Sequence, residues 1–229
     1  MLGRLVRASA VVIGVGLVAG CAVTPVKMGA AAIVGSQRIS IATLGTEVGN
    51  LNQAASHYPG VVTLTPTQAT QATLTWLIRY QVNEEVARQA GITVSAEQAQ
   101  VALQAAYANA KASAEQQGLT NVTLDLILAA SGVPPDTAAE LGRYEAIANE
   151  YLKIANGGTA PTSSSAQTAA DSKLSLAECQ AAKALNIAVN PQFGQLDYSQ
   201  LQVVSVPNPV ARPAGPATSA SPVATAPAC

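Results

Sequence analysis

The chain has 229 residues, and its 12 Lys or Arg and 13 Asp or Glu make up only 11% of it, against the roughly 25% of an ordinary soluble domain. A formal charge of −1 with no basic stripe excludes nucleic acid as a partner, because phosphate binding needs clustered Lys and Arg. Hydrophobic residues reach 49% but aromatics only 3%, so the apolar content is Ala, Val, Leu and Ile, which suits closely packed helices with small faces.

Residues 1–21 read MLGRLVRASAVVIGVGLVAGC. Arg4 and Arg7 form a positive start, residues 8–17 a short apolar run, and small residues precede Cys21. This pattern predicts a secretory signal peptide over residues 1–20, too short to span a bilayer as a stable helix. The ending Val18-Ala19-Gly20-Cys21 resembles a lipobox, where bacterial lipoproteins receive a lipid on the cysteine sulfur before cleavage between the Gly20 and Cys21 positions. Small residues at Ala19 and Gly20 let a peptidase reach the bond, and a thiol is needed for the thioether. The resemblance implies a palmitate-type acyl anchor on Cys21 and an extracytoplasmic, membrane-held protein. The plainer alternative is an ordinary signal peptide with a cysteine at its cleavage site. Removal of Arg4 and Arg7 leaves 10 basic and 13 acidic side chains, a charge of −3, so the lipid would have to hold the protein at an anionic surface without help from charge.

After a tether over 21–30, residues 31–34 (Ala-Ala-Ile-Val) predict a strand, Gly35-Ser36 a turn, and residues 38–41 a second extended stretch. Leu44, Val48, Leu51 and Ala55 place a first helix over about 42–57. The second helix has Thr65 as its N-cap and Pro66 in its first turn. Leu74, Ile78, Val82 and Val86 give it an apolar face, and Gly91 ends it. Ser95 and Gln98 form a capping box that starts a third helix through about Gln117. A short fourth helix covers 124–130, and a fifth runs from about 135 to 155. Residues 157–172, GGTAPTSSSAQTAADS, have linker composition. A sixth helix is expected over 174–186, and a last strand within 201–206. The tail 207–229 holds six of the 13 prolines, a composition that predicts disorder. A hairpin alone is marginal, so residues 31–34 and 203–206 are expected to share one small sheet.

The order of these elements, with AAIVGSQRIS leading into a helix and LIRYQVNEEVARQAGITVSAEQ following, resembles the N-terminal domain of SurA-type and PrsA-type foldases. The later LNIAVNPQFGQLD resembles the element that follows the parvulin isomerase domain in some relatives and completes the N-terminal lobe. The resemblance covers about 30–156 and 174–204. It implies a mainly α, SurA-N-like helical lobe over 31–206, with a small β-sheet made by an N-terminal strand pair and a C-terminal strand. It further implies a chaperone-like protein that binds unfolded or newly secreted polypeptide. The slot where a parvulin domain would sit holds only 157–172, and the histidines of a parvulin site are missing, so the resemblance implies the chaperone lobe without the isomerase. Fold analogy does not by itself establish function.

Single residues bear on the same question. Trp76, Tyr80, Tyr107, Tyr144 and Tyr151 could line a groove for apolar client peptides, although aromatics at helical spacing more commonly belong to the core. His57, the one histidine, lies at a helix end, where the terminal carbonyls account for it better than catalysis does. There is no G-x-S-x-G elbow and no G-x-x-x-x-G-K loop, so no enzyme, cofactor, small-molecule substrate or metal is expected. With Cys21 lipidated, Cys179 and Cys229 remain: they pair, or Cys179 is buried and Cys229 free. A structural or adaptor lipoprotein that docks one envelope partner is the alternative to a chaperone. A wide exposed apolar groove would favour clients, and one compact patch a dedicated partner.

Overall fold

The computed structural model describes residues 28–206. The signal, the lipobox and the proline-rich tail therefore lie outside the described residues.

The chain enters through β1 (Ala30–Val34) and β2 (Gln37–Ser40), an antiparallel hairpin turning on Gly35, whose φ of +58° is a conformation that L side chains rarely adopt. Ser40 then caps α1 (Ile41–Ser56), accepting a hydrogen bond from the Thr43 N–H at 2.9 Å. α2 (Pro66–Ala90) and α3 (Ala96–Gln116) both start on complete capping boxes, Thr65 with Gln68 and Ser95 with Gln98. Gly91 closes α2 in the left-handed conformation, as its position in the sequence predicts. α4 (Leu124–Ala130) is short, and a 3₁₀ turn at Pro135–Thr137 leads into α5 (Ala138–Ala155). The protein is thus mainly α with a small antiparallel sheet, as expected.

α2 is the central helix and packs on α1, α5, α6, β1 and β5. Its expected stripe, Leu74, Ile78, Val82 and Val86, is fully buried, but Ala69, Thr73, Trp76 and Ala87 on other sides are buried as well. A helix covered from several directions has no single solvent face, so its polar residues do not all lie outside.

Two expectations are corrected. First, the run read as a linker over 157–172 is mostly helix: α6 spans Ser164–Ala184, leaving 156–163 as the connection from α5. Ser163 caps α6 by accepting from the Ala166 N–H. The hydroxyls of Thr168 and Ser172 donate back to the carbonyls four residues earlier, so these polar side chains are satisfied within the helix. Ala170 is only 2% exposed, and Lys173 Nζ donates to Ala155 O at 2.7 Å, tying α6 to the end of α5. Packing of small alanines overrode the linker composition.

Second, the third strand of the sheet is β3 (Ala188–Val189), not residues 203–206. The order is β2-β1-β3, with Ala32 opposite Val189 and Ile33 opposite Ala188. Val203 lies instead in β5 (Gln202–Val204), which pairs with β4 (Gln195–Asp197) in a separate hairpin. β1 has only two edges. The hairpin takes one, and the first extended residues after α6 reach the other, anchored by Gly35 N–H donating to Leu185 O and Asn190 N–H donating to Ala31 O. Val203 still enters the core beside Ala31 and Val34, and its N–H donates to Thr75 Oγ1 at 2.9 Å. The two ends of the described chain are therefore joined through one core, although not by the strand that the sequence suggested.

Candidate functional site

α3 has an unusual position. Of its 21 residues only Ala102 is buried, and its main contact is with α5. The approach is close because α5 carries a glycine where the helices meet. A Cβ at Gly142 would lie 2.5 Å from the Ala99 carbonyl oxygen and 3.0 Å from Leu103 Cβ. α3 is fixed at its root by Arg143, which pairs with Glu84 of α2 and donates to Val94 O at 3.2 Å. Farther along, Tyr107 donates to Val122 O at 2.9 Å.

This arrangement leaves a cleft on each side of the seam. One, of about 520 Å³, is lined mainly by Ala96, Ala99, Leu103, Ala139 and Gly142, with Ser95 and Arg143 at its polar margin. The other, of about 390 Å³, is lined by Val101, Ala105 and Ala146, and by the polar Asn149, Glu150 and Lys153. Val101 is 61% exposed, a large apolar residue with little of its surface covered. Shallow apolar walls, a cation at one rim and a helix with one buried residue can hold a short apolar segment of polypeptide. They provide no nucleophile–base pair.

None of the five aromatics proposed for client contact lines either cleft. Trp76 is 6% exposed, with the Tyr144 ring 5.7 Å and the Tyr80 ring 6.3 Å from its own. Trp76 and Tyr144 pack in one core cluster between α2 and α5, with the half-buried Tyr80 ring beside them. Tyr151 packs against the main core, and Tyr107 braces α3 as described. His57 is the C-cap of α1. Cys179 is half-buried on α6 and disulfide-bonded; Cys21 and Cys229 lie outside the described residues. Among the described residues there is no His, Cys, Asp and Glu cluster able to hold a metal, and no helix is long and apolar enough to cross a membrane.

The seam had a signal in the sequence. Gly142 sits inside a helix, where glycine costs about 1 kcal/mol relative to alanine, and Ala96, Ala99, Ala102 and Ala106 recur at helical spacing on α3. Small residues on two helices together predict a close crossing, but neither run names the other as its partner.

Two carboxylates near the helix interface are perturbed. Glu178 is raised by burial, offset in part by the hydrogen bond that the Tyr144 hydroxyl donates at 3.1 Å and by Arg79. Burial, followed by the nearby Glu178 charge, in turn raises Tyr144 well above the ordinary tyrosine value, so it remains a neutral donor. Glu145 is raised by burial alone. A carboxyl that binds its proton more tightly when folded penalises the folded state above its folded pKa. The penalty is relieved as pH falls through that value toward the unfolded carboxylate range. Glu145→Gln keeps the shape and removes the charge. It is therefore expected to raise the melting temperature at pH 7 and to have little effect near pH 4. Equal shifts at both pH values would show that burial of the charge is not the cause.

Comparison with known proteins finds no matching family model, no similar curated protein and no similar solved structure.

Proposed function

We propose that this chain is a lipid-anchored, extracytoplasmic chaperone-like protein that holds unfolded or newly secreted polypeptide and does not isomerise prolyl bonds. The observation that carries this reading is the α3–α5 seam, where a mostly exposed helix and an apolar cleft of about 520 Å³ offer a surface for short apolar segments. Contacts made by alanine, leucine and valine walls are dispersive and sequence-tolerant, as holding of varied clients requires.

Connectivity supports the no-isomerase half. Prolyl isomerisation has a barrier of about 18–20 kcal/mol, and lowering it takes a shaped pocket that grips the ring and stabilises the twisted amide. In the foldases that the sequence resembles, that pocket belongs to a separate parvulin domain. Here α5 and α6 are joined by residues 156–163, eight residues, far below the roughly 50 that the smallest usual domains need. The mature protein is expected to slow aggregation of an unfolded test protein at near-stoichiometric ratio and to leave a proline-limited refolding phase unchanged. Acceleration of that phase would overturn the no-isomerase half.

The seam also offers two small clefts in place of one long groove, which favours the second reading, an adaptor for one envelope partner. No effect on aggregation across several unrelated clients would select that reading.

The anchor is tested separately. Cys21 is the one thiol near the lipobox-like sequence, so Cys21→Ser is expected to move the protein from the detergent phase to the aqueous phase. Unchanged partitioning would remove the lipoprotein reading.

A further inference from the structure

Away from the seam, α2 meets the turn at 131–133 and the β4–β5 hairpin around a pocket of about 260 Å³. The turn closes on α2 because residue 132 is a glycine with φ +72°. A Cβ there would lie 2.6 Å from Ala72 Cβ. On the opposite wall, Leu201 holds a left-handed φ of +45°, fixed by a side chain buried in the main core. This bend sets Gln200 and Gln202, on either side of Leu201, along the same pocket.

The pocket has an apolar floor and a rim of donors. Trp76 and Val133, both buried, form the floor, and Arg79, Ser131, Gln200 and Gln202 stand around it. No acidic residue lines it. Among the described residues, the side chains of Ser131, Gln200 and Gln202 make no hydrogen bond. Arg79 makes one, a long bond from Nη2 to Gln200 O at 3.4 Å, and joins no ion pair there. A guanidinium carries five N–H donors in a fork that matches a planar oxyanion, so most of this donor set is unspent. The acid that Arg79 stabilises through space is Glu178 of α6, which accepts its hydrogen bond from Tyr144 instead.

We propose that this pocket binds a single carboxylate, carried by a small organic acid or by a polypeptide C-terminus, with Arg79 as its anchor. Charge favours a carboxylate over a phosphate. One guanidinium, already shared at a distance with Glu178, balances one negative charge and not two. Size sets the rest of the ligand, because the pocket is smaller than the roughly 300–1,000 Å³ of drug-sized sites. It suits a carboxylate with one or two small residues, whose aliphatic part lies on Trp76 and Val133. The carboxamides of Gln200 and Gln202 can meet a peptide group. The site is separate from the α3–α5 seam and does not depend on polypeptide holding.

Trp76 is the one tryptophan of the chain, so its fluorescence reports this pocket directly. The full chain is titrated at constant pH and ionic strength with propionate, N-acetyl-dialanine as the free acid, the same peptide as its C-terminal amide, and inorganic phosphate. Both acids should give a saturable change, and the amide and phosphate should not. Tighter binding of the peptide acid than of propionate would support the polypeptide C-terminus as the source, and equal binding the small acid. Arg79→Gln alters an exposed side chain and should weaken acid binding about tenfold or more, the equivalent of one charge-assisted hydrogen bond. Glu178→Gln keeps an acceptor for Tyr144 and removes the charge that shares Arg79, so it should bind the acids more tightly. Undiminished binding in Arg79→Gln would overturn the proposal. So would an amide or phosphate that binds as tightly as the acids, or no saturable response to either acid.

Discussion

Gly142→Leu is expected to drive α3 away from α5 and to abolish the proposed client holding while the rest of the fold stays intact. The nearest obstacle to a Cβ at this position is the Ala99 carbonyl oxygen at 2.5 Å, a backbone atom of a helix, which cannot rotate aside as a side-chain tip can. Leucine adds three further carbons pointing into the seam, so the helices must separate. Overpacking in a fitted contact costs about 1–3 kcal/mol. α3 has a single buried residue, so little apolar burial opposes that cost. Gly45→Ala provides the contrast. Gly45 lies within α1, and a methyl group added to it would meet nothing within 4 Å, so alanine there is expected to stabilise by about 0.5–1 kcal/mol through helix propensity alone. Hydrogen exchange across residues 96–116 reads the seam directly. Native protection of α3 in Gly142→Leu, together with undiminished suppression of aggregation, would remove the seam from the functional account.

Leu74→Ala is expected to produce the largest loss of global stability, about 3 kcal/mol. Leu74 is 0% exposed on the helix that touches most of the others, and truncation removes transfer energy and leaves a cavity that rigid neighbours fill only in part. For a domain of this size each kcal/mol corresponds to about 2–4 °C, so the melting temperature should fall by roughly 10 °C. The same core contains Ala31 and Val34 from the entering strand, Ala181 from α6 and Val203 from the second hairpin. The two ends of the described chain should therefore lose protection together in a single transition. Val101→Ala, at a residue 61% exposed, should change stability by no more than about 0.5 kcal/mol. Comparable losses in the two variants would mean that α2 is not the centre of the fold.

What could be read before folding was what is settled within a few residues. The Thr65 cap, the Ser95–Gln98 box and the left-handed Gly91 set the starts of α2 and α3 and the end of α2, because each is a hydrogen bond or a dihedral preference acting over three or four positions. The buried stripe of α2 was legible for the same reason: its period belongs to the helix itself. Tertiary structure decided three other features, each a competition between partners distant in sequence. The free edge of β1 went to Ala188–Val189 because the turn after α6 delivers those residues to it, and Val203 was left to pair within its own hairpin. Residues 164–172 became helix because α5 and its end were there to pack and bond against, although their composition alone favours a solvated chain. The aromatics turned inward, and the exposed apolar surface arose instead where two runs of small residues met, because the burial of a side chain depends on which helix lies over it, and local sequence does not specify that.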